Sequence, residues 1–219
     1  RTGRQAARQA LLDAYDGAMA TRQITVYAAP SDSAASLRTL RQGKVARLND
    51  VTEDGSWYQI TFSGTTGYVR SDACQAVQYS DYAGTSAVKS AREDLVDYAK
   101  SFLGTRYVWG GASPSGFDCS GFTMYIYKQF GYNLPHSATS QWLSGMGTKI
   151  YSISELQPGD LVFFNDPSRN KGKACSHAGI YIGNGQHVHA SSSRNGGVIT
   201  SDLTSGYYNT YFVGGLRLS

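Results

Sequence analysis

Residues 116–122, GFDCSGF, place one of the three cysteines of the chain in a glycine-rich turn ahead of an apolar segment. Residues 119–130 have apolar side chains at helical spacing and stop before Gly131, so we expect a helix that begins at Cys119 with Asp118 as its N-cap. The helix dipole favours a thiolate at this end, and the first backbone N–H groups can stabilise an oxyanion. The stretch predicts a nucleophilic cysteine, with an ordinary buried thiol as the alternative.

Two histidine pairs can be formed across one predicted hairpin, HAGIYIGNGQHVHA, which begins at His177. With a two-residue loop at positions 184–185, His189 and His177 lie on opposite faces unless a strand has a bulge. With a three-residue loop, His189 is a diagonal same-face neighbour of His177, while His187 lies farther along the strand. This geometry favours His189 as the residue that orients His177, the general base for Cys119.

A rival interpretation treats the same hairpin as a zinc site. Cys175, His177, His187 and His189 form a C-x-H pair and an H-x-H pair, which are suitable ligand types. The four residues would follow one face of the hairpin, and GFDCSGF would have no role. We therefore predict no metal and no other cofactor, and we interpret Cys175 and Cys74 as inert thiols.

Several segments of the C-terminal region resemble, in order, the motifs of the NlpC/P60 family of papain-like cysteine peptidases. They are YVWGGASPSGFDCSGFTMYIYKQFGYNLPHSATSQ, LQPGDLVFF, SHAGIYIGNGQHVHAS and GGVITSDL. The resemblance spans about residues 91–218 and implies a papain-like α+β fold. It also implies hydrolysis of bacterial cell-wall peptides, commonly between D-glutamate and a diamino acid, with Cys119, His177 and His189 as the catalytic residues.

The same resemblance implies further site residues. Tyr107 would lie beside the nucleophile and help to hold the oxyanion, and Asp118 and Ser120 would receive the free amine of an N-terminal L-alanine. Ser137 matches a serine on the substrate side. Asp118 and Ser137 also suit helix N-caps, so these two alternatives stay open. His136 stands where the family often has arginine and is left unassigned.

The N-terminal part of the chain has a different pattern. Residues 5–20 have the period of an amphipathic packing helix, and the following short alternating segments predict a small β-barrel. The barrel segments resemble a bacterial SH3-like domain in LRQGKVARLN, WYQITF and GYVRS. We predict an α+β protein with these parts: an N-terminal helical segment at 1–21, an SH3-like barrel at 22–78, a small polar linker at 79–90 and a papain-like peptidase domain at 91–219.

Composition limits the function classes. A net charge of +4 is too small to indicate nucleic-acid binding, and no apolar run reaches the ~18 residues of a membrane span. We predict a monomeric cysteine endopeptidase that cleaves peptidoglycan stem peptides or muropeptides at the D-γ-glutamyl to diamino acid bond through a thioester. The alternatives are an N-acetylmuramoyl-L-alanine amidase and a non-catalytic cell-wall-binding protein.

The expected location follows from the substrate. We expect an exported protein of the cell wall or the extracellular space, with cytoplasmic muropeptide recycling as the alternative. The chain begins with Arg1 instead of methionine, so the absence of a signal peptide from this sequence says little about export.

Overall fold

The structure, a computed structural model, describes residues 3–218. Contacts between Cα atoms divide the chain into two units. The first is Arg1–Ala91 with Gln129–Gly131, and the second is Arg92–Lys128 with Tyr132–Ser219. Together they give the expected α+β composition, with an N-terminal helix, an SH3-like barrel and a papain-like domain.

In the part of the first unit that the structure describes, there are one helix and seven strands. Its elements are α1 (Gly3–Ala14), β1 (Gly17–Ala20), β2 (Ile24–Tyr27), β3 (Ser36–Leu40), β4 (Val45–Val51), β5 (Trp57–Phe62), β6 (Thr65–Arg70) and β7 (Cys74–Val77), with short 3-10 turns at Ser71–Ala73 and Tyr79–Asp81. The strands form one antiparallel sheet in the order β3-β2-β6-β5-β4-β1-β7. Val26, Leu40, Ile60 and Val69 are fully buried in its core.

The N-terminal helix is shorter than predicted. The helical prediction for residues 5–20 was wrong beyond Ala14, because Gly17–Ala20 forms β1 between β4 and β7. Pairing on both sides satisfies the backbone of this short segment, and a Cβ on Gly17 would lie 3.1 Å from Val77. Tertiary pairing has therefore overridden a helical sequence pattern.

The segment predicted as a linker, residues 79–90, makes hydrogen bonds within the first unit. The backbone N–H of Val45 donates to the carbonyl of Ala87 over 3.0 Å, and the Ser63 hydroxyl donates to the carbonyl of Lys89 over 3.0 Å. The segment thus lies along the barrel over much of its length.

The second unit supplies all the predicted site residues. Its elements are α2 (Ala91–Lys100), β8 (Ala112–Ser113), β9 (Gly116–Phe117), α3 (Cys119–Lys128), α4 (Ala138–Trp142), β10 (Gly147–Ile150), β11 (Leu161–Phe164), β12 (His177–Gly183), β13 (Gln186–Ser191), β14 (Gly197–Asp202), α5 (Gly206–Thr210) and β15 (Phe212–Leu218), with a 3-10 turn at Ile153–Glu155. Six strands form an antiparallel sheet in the order β10-β15-β11-β12-β13-β14. No helix within residues 3–218 has the length and apolar character needed to cross a bilayer.

Helix α3 begins at Cys119, as the sequence predicts, and its first turn is packed very closely. A Cβ on Gly121 would lie 1.9 Å from the carbonyl oxygen of Gly111, so only glycine allows this approach. Farther along the helix, Phe122 and Ile126 are fully buried. The position of Cys119 is therefore fixed by backbone contact on one side and by core packing on the other.

A buried carboxylate holds other elements of the second unit together. Asp160 is fully buried just before β11 and accepts hydrogen bonds from Arg92 at 3.0 Å and from Arg217 at 3.0 and 2.8 Å. Both guanidinium groups remain partly exposed. Since Arg92 lies on α2 and Arg217 on β15, one carboxylate links the helix to the sheet.

Candidate active site

The Cys119 thiol lies where the start of α3 meets the start of β12. Asp118 caps the helix, because its Oδ1 accepts the backbone N–H of Gly121 at 2.6 Å. The backbone N–H groups of Ala178 and Ser120 face the sulfur and lower the pKa of the thiol. Ala178 directly follows His177, so the sulfur of the predicted nucleophile lies beside the strand end that carries the predicted base.

The thiol is protonated at rest, contrary to the sequence expectation of a thiolate. Burial raises the pKa of Cys119 to about 11, and the nearby backbone N–H groups lower it less than burial raises it. Burial also raises the pKa of Cys74 and of Cys175 to about 12. The helix terminus is thus outweighed by desolvation, although Cys119 keeps the lowest pKa of the three thiols.

The β12–β13 hairpin contains both features that the sequence left as alternatives. Gly183 pairs with Gln186 around a two-residue loop, and the register then shifts so that Tyr181 pairs with His187. This bulge at Ile182 restores the same-face geometry of the three-residue alternative.

The predicted imidazole pair is formed. Nε2 of His177 lies 2.8 Å from Nδ1 of His189, with the two rings nearly perpendicular. Nε2 of the fully buried His189 lies 2.8 Å from the hydroxyl of Ser201 on β14. A chain of hydrogen bonds thus runs from His177 through His189 to Ser201 on β14.

His187 takes part in a different set of contacts. Its ring stacks on that of His189 with 4.3 Å between centroids, and its Nδ1 lies 2.9 Å from the carbonyl oxygen of Ser201. Its buried Nε2 has no hydrogen-bond partner within residues 3–218. The His187 ring therefore packs on the face of the His189 ring, and His187 makes no hydrogen bond to His177.

The histidines of this group are neutral at pH 7. Burial lowers the pKa of His177 to about 4, with a smaller effect of the Arg169 charge in the same direction. Burial lowers the pKa of His187 to about 3 and that of His189 well below its usual value. A neutral His177 that donates from Nε2 to His189 carries a lone pair on Nδ1, which is the form required of a base.

Two tyrosines lie near the candidate site. Tyr107 pairs with Phe117 in an isolated bridge, and burial, then the Cys119 and Asp118 charges, raises the pKa of its hydroxyl. Tyr208 on α5 packs its ring 4.8 Å from that of His189. Sequence reasoning found Tyr107 but missed Tyr208, because GYYNTY offers no signal that separates its tyrosines.

The predicted substrate residues lie around the start of α3. Oδ1 of Asp118 also lies 2.8 Å from Nε2 of His136, a partner that sequence reasoning left unassigned. Ser137 caps α4 by accepting the backbone N–H of Ser140 at 3.2 Å. Ser120 is only 6% exposed. The capping alternatives for Asp118 and Ser137 are confirmed, while the substrate roles stay predictions.

The rival zinc interpretation has no ligand set in this structure. In the part of the chain that the structure describes, no three His, Cys, Asp or Glu side chains converge on a metal position. Cys175 is 5% exposed, and its backbone N–H donates to the hydroxyl of Thr139 at 3.0 Å. His177 and His189 instead pair with each other, and His187 and His189 each contact Ser201 through one ring nitrogen.

Comparison with known proteins identifies the family. The model of the NlpC/P60 family matches residues 104–217, just over half of the chain. The chain belongs to the NlpC/P60 family. A bacterial SH3 domain model matches residues 23–73, in agreement with the barrel of the first unit.

Individual relatives carry related names. A protein of Listeria seeligeri named probable endopeptidase p60 is 42% identical over 120 residues, which cover 55% of this chain and 21% of the relative. The gamma-D-glutamyl-L-lysine dipeptidyl-peptidase of Bacillus subtilis is 39% identical over 115 residues, which cover 52% of this chain and 37% of that protein. The chain thus spans well under half the length of these curated relatives.

Solved structures of the family match most of the length of this chain. NlpC2 from Trichomonas vaginalis matches with a TM-score of 0.53 and 27% identity, covering 93% of this chain and 72% of that one. An NlpC/P60 family protein from Bacillus cereus matches with a TM-score of 0.52 and 28% identity, covering 96% of this chain and 66% of that one. The family fold is therefore shared beyond the matched motifs.

Proposed function

We propose that this protein is a cysteine endopeptidase that hydrolyses peptidoglycan stem peptides at the bond between γ-D-glutamate and the diamino acid. Two observations carry the proposal: the Cys119 sulfur lies beside the backbone of Ala178, which directly follows His177, and His177 is paired with His189. Membership in the NlpC/P60 family supports it, as does the name of the Bacillus subtilis relative. All proposed catalytic groups come from one chain, which is consistent with a monomer.

The proposed reaction begins with a neutral thiol and a neutral imidazole. As Sγ of Cys119 forms a bond to the glutamyl carbonyl carbon, its proton moves to Nδ1 of His177. The carbonyl oxygen becomes an oxyanion, and the backbone N–H groups at the start of α3 and the hydroxyl of Tyr107 are proposed to stabilise it. His177 is then an imidazolium whose Nε2–H donates to His189.

The intermediate collapses when the C–N bond breaks. His177 gives its proton to the departing amine of the diamino acid, and the glutamyl group stays on Cys119 as a thioester. A water molecule then attacks the thioester carbon while His177 removes a proton from it. The tetrahedral intermediate then expels the Cys119 thiolate, which takes that proton back from His177. The glutamyl product leaves as the free carboxylic acid, and Cys119 is restored.

The N-terminal amine of the substrate is proposed to bind Asp118. Its Oδ1 is occupied by the Gly121 N–H and by His136, whereas its Oδ2 has no hydrogen bond within residues 3–218. An L-alanine ammonium would pair with this free oxygen. Ser120 and Ser137 are proposed to contact the same end of the substrate.

Location and domain organisation stay part of the proposal. A protein that hydrolyses peptidoglycan is expected in the cell wall or the extracellular space. The barrel is proposed to extend over residues 22–78 and the peptidase domain over 91–219, joined by residues 79–90.

Mass spectrometry of defined peptides tests this function. The substrates are L-Ala-γ-D-Glu-diamino acid-D-Ala with and without an N-acetylmuramoyl group, and the variants are Cys119→Ala and, as a matched control, Cys74→Ala. We expect cleavage after D-Glu by the parent and by Cys74→Ala only. Cleavage before L-alanine would establish the amidase instead, and a folded parent that cleaves nothing would leave the non-catalytic wall-binding alternative.

A further inference from the structure

Ser201 on β14 contacts two of the hairpin histidines through two different atoms. Its hydroxyl oxygen lies 2.8 Å from Nε2 of His189, and its backbone carbonyl oxygen lies 2.9 Å from Nδ1 of His187. The strand register explains both contacts, because His187 pairs directly with Ser201 and His189 is its diagonal neighbour on the same face. One residue of the neighbouring strand therefore faces both rings, but with groups of different chemistry.

The two contacts constrain the ring protons differently. A carbonyl oxygen can only accept, so the neutral His187 ring must carry its proton on Nδ1. A serine hydroxyl can both donate and accept, so the contact with His189 is compatible with a proton on either nitrogen of that ring. The position of the His189 proton therefore depends on what its other partner, His177, needs from Nδ1.

The proposed reaction requires His189 to accept a hydrogen bond at Nδ1. When His177 takes the thiol proton, its Nε2–H must donate to Nδ1 of His189, which lies 2.8 Å away. A neutral imidazole accepts at one nitrogen only, so the His189 proton must then lie on Nε2. Because His189 is fully buried, an N–H at that position needs an acceptor from the protein. The acceptor that faces it is the hydroxyl of Ser201.

The opposite direction of the same hydrogen bonds would disable the base. If Ser201 donated to Nε2 of His189, the His189 proton would lie on Nδ1 and point at Nε2 of His177. The neutral His177 ring would then carry its own proton on Nδ1 and could not remove the proton of the thiol. The direction of the chain from His177 to Ser201 thus decides whether His177 acts as a base.

We propose that Ser201 is a positioning residue of the active site, whose hydroxyl accepts the Nε2–H of His189 and keeps Nδ1 of His189 as the acceptor for His177. This inference rests on the proposed function. Without the hydroxyl, His189 has either a buried N–H that lacks a partner or its proton on the wrong nitrogen. We therefore expect Ser201→Ala to lower kcat roughly 5- to 150-fold, the effect of one unsatisfied buried donor. KM should change little, because Ser201 acts through His189.

Steady-state cleavage of L-Ala-γ-D-Glu-diamino acid-D-Ala tests the kinetic part of the proposal. Ser201→Thr keeps a hydroxyl and should retain most of the parental kcat. Thr200→Ala is the matched control, because Thr200 is the exposed neighbour in the same strand, and it should leave kcat unchanged. In a His189→Asn background, Ser201→Ala should have little further effect, because a carboxamide has no ring proton whose position needs fixing.

NMR of the resting protein labelled with ¹⁵N-histidine reads the ring protons without turnover. Two-bond ¹H–¹⁵N spectra should show His177 and His189 protonated on Nε2 and His187 protonated on Nδ1. In Ser201→Ala the His189 proton should move partly or wholly to Nδ1. His187 is the internal control, since alanine keeps the backbone carbonyl that it contacts, and its proton should stay on Nδ1.

Three results would overturn the inference and leave the proposed function intact. The first is a parent protein whose His189 carries its proton on Nδ1, and the second is a folded Ser201→Ala with parental kcat. The third is an equal loss from Ser201→Ala in the parent and in the His189→Asn background, which would indicate a role in packing alone. Failure of the folded parent to cleave the peptide would instead refute the proposed function, and the spectra would still decide the direction of the hydrogen-bond chain.

Discussion

Replacement of His189 with alanine removes the hydrogen bond between its Nδ1 and Nε2 of His177, which are 2.8 Å apart. At rest this bond joins two neutral rings, but during the reaction it supports an imidazolium. A hydrogen bond to a charged group is worth about 1.5–3 kcal/mol, so we expect kcat to fall roughly 10- to 150-fold. KM should change little, because His189 is fully buried and does not reach a bound peptide.

Steady-state cleavage of L-Ala-γ-D-Glu-diamino acid-D-Ala, with thermal unfolding of each variant, measures this effect. His189→Asn keeps an acceptor for the His177 Nε2–H, so its loss is expected to stay within about tenfold. His187→Asn changes the stacked neighbour, which makes no hydrogen bond to His177, and should cost less than His189→Ala. A folded His189→Ala with kcat within twofold of the parent would refute the orienting role, as would an equal loss in His187→Asn.

Four further predictions concern pH and stability. Because burial lowers the pKa of His177 to about 4, the acid limb of kcat/KM is expected near pH 4, and a limb near 6.5 would contradict the neutral-base account. The folded-state pKa values of the three hairpin histidines lie below their unfolded values. Their contribution to the free energy of unfolding is therefore present above about pH 6.5 and declines as the pH falls towards 4. Denaturant titrations that show no decline over this range would contradict the prediction. Gly121→Ala places a Cβ 1.9 Å from the Gly111 carbonyl oxygen, so we expect the free energy of unfolding to fall by about 1–3 kcal/mol and activity to fall strongly. Gly3→Ala, whose Cβ meets open space, is the control and should change neither quantity. Asp160→Asn removes the buried charge between Arg92 and Arg217 and should cost roughly 3 kcal/mol, with a loss below 1 kcal/mol as the contrary result.

Local patterns predicted the elements that hold Cys119. The cap at Asp118 and the helix start at Cys119 depend on neighbouring residues only, so the sequence was sufficient. The hairpin register was harder, because strand parity depends on loop length and an inserted residue changes it. Asn184 and Gly185 both have positive φ in a two-residue turn, and the bulge at Ile182 could not be read from the residue types.

Features that arise only from the assembled fold were missed or mispredicted. The contacts of His136 with Asp118 and of His189 with Ser201 join residues that are separated in sequence and carry no shared motif. Desolvation of the Cys119 sulfur likewise depends on everything packed around it, which is why the thiolate expectation failed. The strand at Gly17–Ala20 was mistaken for helix because its two partner strands lie far along the chain.

Mapping alkylation by iodoacetamide against activity tests the central claim most directly. Cys119 is partly exposed and has the lowest thiol pKa of the three cysteines, whereas Cys175 is buried. Mass spectrometry of peptides at successive times should show activity falling in step with modification of Cys119, before Cys74 and Cys175 react. Full activity with Cys119 completely alkylated, or loss that follows another cysteine, would contradict its role as the nucleophile.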